Sequence, residues 1–329
     1  MSEPGRRFPE IDALKAAGIV TIVLIHALRS PWDPAVSGLE RWLGQVTRFG
    51  VPGFLFASGF LYARAPSDRA TTWRRLRRIL LPYALASAVA QLWRWRDGLP
   101  YEGGTLLADL LLASSFGPYY YVFVIAVLVL ATPLVARLPG PLLYAATGAF
   151  LASQWFVDAG GFGLVSFYWH IRNPLLWWGY FLLGWVARLH EPALRRWVAP
   201  RRGMLLATLG TLVALLALVA SFEDAAPRLL VRSASWLAVY AILAFVAAAA
   251  SGTAALPRPL RALSDATYAI YLYHLFFVLA AQKLFSAPSG EAAWQAILVP
   301  WLAGLAGSLA LVTAARALLG ARSRDWIGA

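Results

Sequence analysis

The sequence predicts an all-α polytopic protein that crosses a membrane about ten times, with both termini on the cytoplasmic side. Three observations carry that fold class. Of 329 residues, 60% are hydrophobic and only 14% are charged, with a mean hydropathy of +0.62, which is too apolar for a soluble domain of this size. Apolar stretches able to span recur at 13–28, 49–63, 79–93, 118–136, 141–157, 174–189, 203–221, 229–250, 263–285 and 292–319. The cations also sort by side: with the N-terminus inside, 20 of the 29 lysines and arginines fall on the cytoplasmic side and nine outside, the asymmetry that orients spans. An eleventh apolar stretch, 105–116, is short and holds Asp109. Counting it as a span would throw the five arginines from Arg188 to Arg202 outside, so it reads as a re-entrant or interfacial segment.

The same composition narrows function. The net charge of +13 belongs to loops that orient membrane spans, so nucleic acid is not an expected partner, whereas membrane lipids are. With no cysteine, a disulfide framework, a thiolate nucleophile and a Cys-ligated metal are excluded, and no metal site is predicted. The 15 tryptophans suit the two membrane interfaces. No internal repeat is visible, the first apolar run reads as a retained span, and residues 1–329 read as a single membrane domain.

Taken in order, the first span carries the costliest residues. Asp12, Lys15 and His26 lie in or at an apolar run, and ionisable groups inside a membrane mark function by default. Lys15 and His26 are almost three helical turns apart, so they share a face about 16 Å from end to end. Asp12 and Lys15 can snorkel to the interface, but an imidazole is too short to do so. A neutral His26 can take a proton from an alcohol. No acidic residue lies within a turn or two of it in the sequence, so any orienting group must come from another span.

The second span holds Gly50, Pro52, Gly53, Ser58 and Gly59. Close helix packing is the first reading of these small residues and a substrate-lining role for Ser58 the second. At the head of the third span, Arg74, Arg75, Arg77 and Arg78 fall within five positions. Arginine forks favour phosphate, and the same residues could equally only enforce topology and touch anionic headgroups. Farther on, Trp169, His170, Arg172 and Asn173 suit either sugar stacking or an ordinary interfacial belt, the belt being slightly favoured. His190 at the end of a span is explained by the helix dipole. In the ninth span, Ser264 reads as a helix cap with Asp265 in the first turn. Tyr268, Tyr271 and His274 follow, the last two on one face. A satisfied interhelical hydrogen bond and a direct substrate role stand level for that pair.

These residues together resemble the acyltransferase-3 family of integral membrane acyltransferases, in its stand-alone form. The family opens on an Asp-x-x-Arg-like start with a histidine some three turns on, matched by Asp12, Lys15 (lysine in place of arginine) and His26. Its Ser-Gly-Phe matches Ser58, Gly59 and Phe60. Its cytoplasmic Arg-x-x-Arg before a proline-containing span matches Arg75 and Arg78 ahead of Pro82 and Tyr83. Its late Tyr-x-x-Tyr-x-x-His matches Tyr268, Tyr271 and His274, and an aromatic start to a middle span resembles Tyr119, Tyr120 and Tyr121.

The resemblance implies transfer of an acyl group, usually acetyl, from cytoplasmic acyl-CoA to a hydroxyl of a carbohydrate or lipid-linked glycan of the cell envelope. It implies His26 as the catalytic residue and the arginines as a donor-side element; acyl-CoA is a substrate, and no permanently bound cofactor is expected. Lys15, Arg74, Arg75, Arg77 and Arg78 are then expected to meet the phosphates of the donor. Asp12, Ser58, Tyr268, Tyr271 and His274 are expected to support or line the site. The expected location is the inner or plasma membrane, in a bacterial cell. The alternative is an exporter or flippase of a polar lipid or glycan, although paired broken helices and repeat symmetry are missing. A membrane-bound O-acyltransferase of the other, eukaryote-centred type would instead use a late histidine, as His274 with Asp265 upstream.

Overall fold

The computed structural model describes residues 7–29, 36–158, 167–221, 256–285 and 294–329. Every regular element among them is a helix. The apolar stretch at 229–250 lies outside the described residues. In chain order the helices are α1 (Pro9–Ala27), α2 (Gly38–Val46), α3 (Gly50–Tyr62), α4 (Arg69–Arg96), α5 (Leu106–Leu111), α6 (Tyr120–Val135) and α7 (Gly140–Asp158). They continue with α8 (Phe167–His170), α9 (Pro174–Leu189), α10 (Glu191–Val198), α11 (Arg202–Ser221), α12 (Arg258–Leu284), α13 (Trp294–Leu319) and α14 (Ser323–Trp326).

Four stretches among the described residues are long and apolar enough to cross a membrane: Gly117–Val135, Glu191–Leu215, Arg258–Leu284 and Gln295–Trp326. The helices over the other described apolar runs are shorter, such as the 13-residue α3 and the 16-residue α9, charged, such as α1 with Glu10, Asp12 and Lys15, or less apolar, such as the 19-residue α7. The molecule is apolar on its outside as well as its inside. Leu92, Leu111, Leu134 and Leu318 are each more than 60% exposed, while Ser87, Asp109, Ser114, Thr132 and His274 are fully buried. That inversion suits a lipid solvent, in which polar groups must find partners inside the bundle.

Helix α1 starts where Pro9 pre-sets φ, with Glu10 and Asp12 in its first turn to meet the positive end of the dipole. It packs on α3, α12 and α13. Direction follows from which residues meet. Asp12 bonds Ser264 and His26 bonds His274, so α1 and α12 run parallel. Phe8 packs on Phe60 while Gly18 faces Phe54 and Gly50, so α3 runs against α1. Ile79 meets Tyr268 and Asp97 meets Lys283, so α4 runs with α12. The crossing of α3 and α9 is closer than side chains allow. A Cβ on Gly59 would strike the Phe181 carbonyl and lie 3.1 Å from the Trp185 nitrogen, and one on Gly184 would strike the Phe56 backbone. Packing explains Gly59, as small residues do at membrane helix contacts.

The bundle has two distinguishable ends. One gathers Arg7 with Asp265, Arg77 with Asp325, Arg195 with Glu10 and Glu191, and Arg188 with Glu191. The first and last charged residues described, Arg7 and Asp325, therefore lie at the same end. The other end holds Lys283 with Asp97 and Arg29 with Glu40. There α2 is amphipathic, closed by a capping box between Ser37 and Glu40, and packs against α11. The 105–116 stretch forms only the six-residue α5, around a fully buried Asp109. Gly103 N–H (2.6 Å), Ser114 Oγ (2.8 Å) and Gln91 Nε2 (3.0 Å) all donate to the Asp109 carboxylate. Asp109 thus knots this connection into α4.

Ser264 is not a cap. Helix α12 begins at Arg258, with Pro257 at its N-cap position and Pro259 in the first turn, so Ser264 and Asp265 sit well inside it. A proline-led start needs no hydroxyl, which frees Ser264 to turn toward α1. His190 likewise does more than end a span: it stands between α9 and α10, and its Nε2 lies 2.8 Å from the Tyr144 hydroxyl.

Candidate active site

Two parallel helices, α1 and α12, are clasped at both ends of a shared face. At the charged end, Ser264 Oγ donates to Asp12 Oδ1 at 2.8 Å. Arg7 pairs with Asp265 and lies 3.9 Å from Asp12 Oδ2. At the far end, His274 Nε2 lies 3.0 Å from His26 Nδ1, with ring centroids 5.0 Å apart. Two groups orient His26: the Ile22 carbonyl one turn back on α1 and a second imidazole, supplied by α12. His274 is fully buried, and its Nδ1 lies 3.0 Å from the Ile270 carbonyl oxygen and 2.8 Å from that of Tyr271. Gln282 adds a weak tie, its Nε2 donating to the His26 carbonyl at 3.4 Å.

Beside the charged clasp lies a cavity of about 280 Å³, whose lining includes Lys15, Ser58, Tyr62, Tyr121, Ser264, Tyr268 and Tyr271. Lys15 faces it without a hydrogen bond or ion pair among the described residues. Asp12 and Asp265, the nearby carboxylates, are taken up by Ser264 and Arg7. The aromatic wall is pinned from behind: the Tyr268 hydroxyl donates to the Ile79 carbonyl at 2.7 Å, and the Tyr271 hydroxyl donates to the Pro118 carbonyl. Tyr268 and Tyr271 stack nearly parallel, with centroids 6.4 Å apart, and Tyr121 stands edge-on to Tyr271 at 5.2 Å. Tyr271 belongs to the cavity through its ring and to the histidine pair through its carbonyl. One turn of α12 therefore joins the cavity to His26.

The arginines of α4 do not act as one group. The Arg75 guanidinium sits over the ring of Tyr62 at 4.3 Å, against the cavity wall. Its Nη1 is buried without a hydrogen-bond partner among the described residues, an expensive arrangement unless something else pairs with it. Arg74 donates to Thr71 Oγ1 at 3.1 Å, beside the Asp68 cap. Arg77 turns to Asp325 on α14 at 3.4 Å, and Arg78 is exposed. Of the four, only Arg75 adjoins the cavity wall. Sequence reasoning did not single out Tyr62, although its place one turn after Ser58 on α3 puts both on one face.

In the cluster at 169–173, one residue also braces a neighbouring turn. Arg172 is buried, with Nε donating to the Leu112 carbonyl at 2.7 Å and Nη2 to that of Ala113 at 3.3 Å. It braces a turn in which Ala113 takes φ +52°. Trp169, Arg172, Asn173 and Trp178 border a second cavity of about 360 Å³ on another face of α6, with Phe123 and Val127.

No curated protein and no solved structure matches the chain. A family profile described as an acyltransferase domain, that of the acyltransferase-3 family, matches residues 8–317, from the residue before α1 almost to the end of α13. It thus takes in both clasped helices, the cavity beside them and the arginines of α4. The chain belongs to the acyltransferase-3 family of integral membrane proteins and is an acyltransferase.

Proposed function

We propose that the protein moves an acyl group, acetyl in the simplest case, from cytoplasmic acyl-CoA to a hydroxyl of a carbohydrate or lipid-linked glycan. Ten spans, with both termini and the arginine-rich end cytoplasmic, complete the reading, in a bacterial inner membrane. The observation that supports it best is the shared face of α1 and α12, with Lys15 on a cavity at one end, unpaired among the described residues, and the His26–His274 contact at the other.

In this reading the phosphates of the donor meet Lys15 and Arg75, and the thiol-bearing arm follows α1 past Ser58, Tyr268 and Tyr271 to His26. The acceptor hydroxyl gives its proton to His26, and its oxygen bonds the acyl carbon. The carbon–sulfur bond breaks, and the thiolate leaves with the proton that His26 took. Asp12 holds Ser264 and the N-terminal turn in place and does no chemistry. Arg74 and Arg78 contribute positive potential at the cavity mouth; Arg77 is a tie to α14.

Incubating the purified protein with labelled acetyl-CoA and a membrane glycan fraction tests this. Label should pass to the glycan with wild type and not with His26→Ala, which still inserts. Full transfer by His26→Ala would sink the mechanism, and export of an unmodified glycan without transfer would return the chain to the transport reading.

A further inference from the structure

The contacts of His274 determine which nitrogen of His26 is the basic one. His274 Nδ1 faces two carbonyl oxygens, of Ile270 and Tyr271. Carbonyls only accept, so this nitrogen must carry a proton. A neutral imidazole has one N–H, which leaves Nε2 of His274 as a lone pair. That lone pair points at His26 Nδ1 from 3.0 Å, so the proton between the rings belongs to His26. His26 Nε2 is then the atom left without a proton.

We propose that His274 is a positioning residue that locks His26 in its Nδ1-protonated tautomer and so presents Nε2 as the base. This rests on the acyl-transfer reading above. The relay of orientation runs from the helix carbonyls of α12, through one imidazole, to a second, and it needs no carboxylate. The hydroxyl proton goes to His26 Nε2 as the oxygen attacks, and the Nδ1–H···Nε2 contact becomes charge-assisted at that moment. It therefore strengthens as charge develops. When Nε2 gives its proton to the departing thiolate, His26 returns to the same neutral tautomer. The opposite arrangement, with a proton on His274 Nε2, would require His26 Nδ1 to accept. His26 Nε2 would then bear hydrogen and could take nothing from an alcohol.

Three full-chain variants in nanodiscs test the assignment. His274→Phe keeps a ring but removes the acceptor, and should lower kcat about 10²-fold while the KM for acyl-CoA stays put. His274→Gln restores an oxygen that can accept from Nδ1–H and should recover roughly a tenth or more of the wild-type rate. The ¹⁵N spectrum of histidine-labelled protein, with His26 assigned by difference from His26→Ala among four histidines, should show His26 protonated at Nδ1 and bare at Nε2. In His274→Phe, where only the Ile22 carbonyl one turn back remains to hold the proton, the share protonated at Nδ1 should fall.

Wild-type kcat in His274→Phe, or a proton on His26 Nε2 in the wild type, would overturn the proposal. If His274→Phe does not fold, the wild-type spectrum and the His274→Gln rate still decide it. Absence of acyl transfer by the wild type would instead overturn the acyl-transfer reading on which the proposal rests, and full transfer by His26→Ala would remove His26 as its base.

Discussion

Replacing Arg75 and Arg77 separately by methionine sets two neighbouring cations against each other. Both stand on the N-terminal turns of α4, and on charge alone both would be expected to draw an anionic donor equally. The structure separates them. Arg75 leans on Tyr62 at 4.3 Å beside the cavity and leaves Nη1 buried and, among the described residues, unpaired. Arg77 is 60% exposed and reaches Asp325 at 3.4 Å. A charge-assisted hydrogen bond contributes about 1.5–3 kcal/mol. If Nη1 meets a donor phosphate, Arg75→Met should raise the KM for acyl-CoA by roughly 10- to 150-fold, taking about 1.4 kcal/mol per factor of ten. Arg77→Met loses a surface pair of about 0–1 kcal/mol, which acts on stability and leaves KM where it was. Steady-state kinetics of the two variants in nanodiscs, with acyl-CoA varied at saturating acceptor, reads the contrast directly. Equal KM increases in the two variants, or a fall in kcat alone for Arg75→Met, would refute this placing of the donor.

Gly59→Ala forces a methyl into the Phe181 carbonyl and should cost about 1–3 kcal/mol or more. Gly148→Ala on α7 meets open space and should leave the thermal midpoint unchanged; fluorescence-detected melting of the pair checks both. Ser264→Ala removes the tie to Asp12 and should destabilise by about 0.6–2 kcal/mol, the range of interhelical hydrogen bonds in membranes, read by the same melt. The Lys283 ammonium and the Arg96 guanidinium beside Asp97 hold its carboxyl below the usual carboxylate range. Its contribution to stability should therefore be fully present above about pH 4 and fade as pH falls through the lowered value. Asp97→Asn should abolish that part of the acid-side change in melting temperature; an identical acid profile would refute it.

Much of this architecture could be read from residue order, because charged groups in apolar runs are costly enough to announce themselves. Asp12, Lys15, His26 and His274 were all visible on that ground, and the helical register of Arg74 to Arg78 followed from spacing. Partnership was not visible: His26 and His274 are 248 positions apart, and no local pattern says that two imidazoles meet. Ser264 resembled a cap because hydroxyls before polar turns usually are one, yet Pro257 and Pro259 had already set the start of α12 upstream. Helix α2 was passed over between spans, although Ser37 and Glu40 spell a capping box and Leu39, Leu43 and Val46 fall on one face. Which arginine turns to the cavity depends on Tyr62 and Asp325, and neither lies on α4.

The double clasp between α1 and α12 also has a consequence for how the protein is made. Helix α1 leaves the ribosome well before α12, carrying a carboxylate, an ammonium and an imidazole. Its partner Ser264 follows 252 residues later, and His274 comes 248 residues after His26. At about 5–20 residues per second, that interval is on the order of ten to fifty seconds. For that time α1 is an incomplete helix whose polar face must be sheltered by the insertion machinery or by neighbours such as α3. Arrival of α12 ends the exposure and assembles the histidine pair in the same event, so a chain stalled before residue 274 has neither the second imidazole nor a finished first helix.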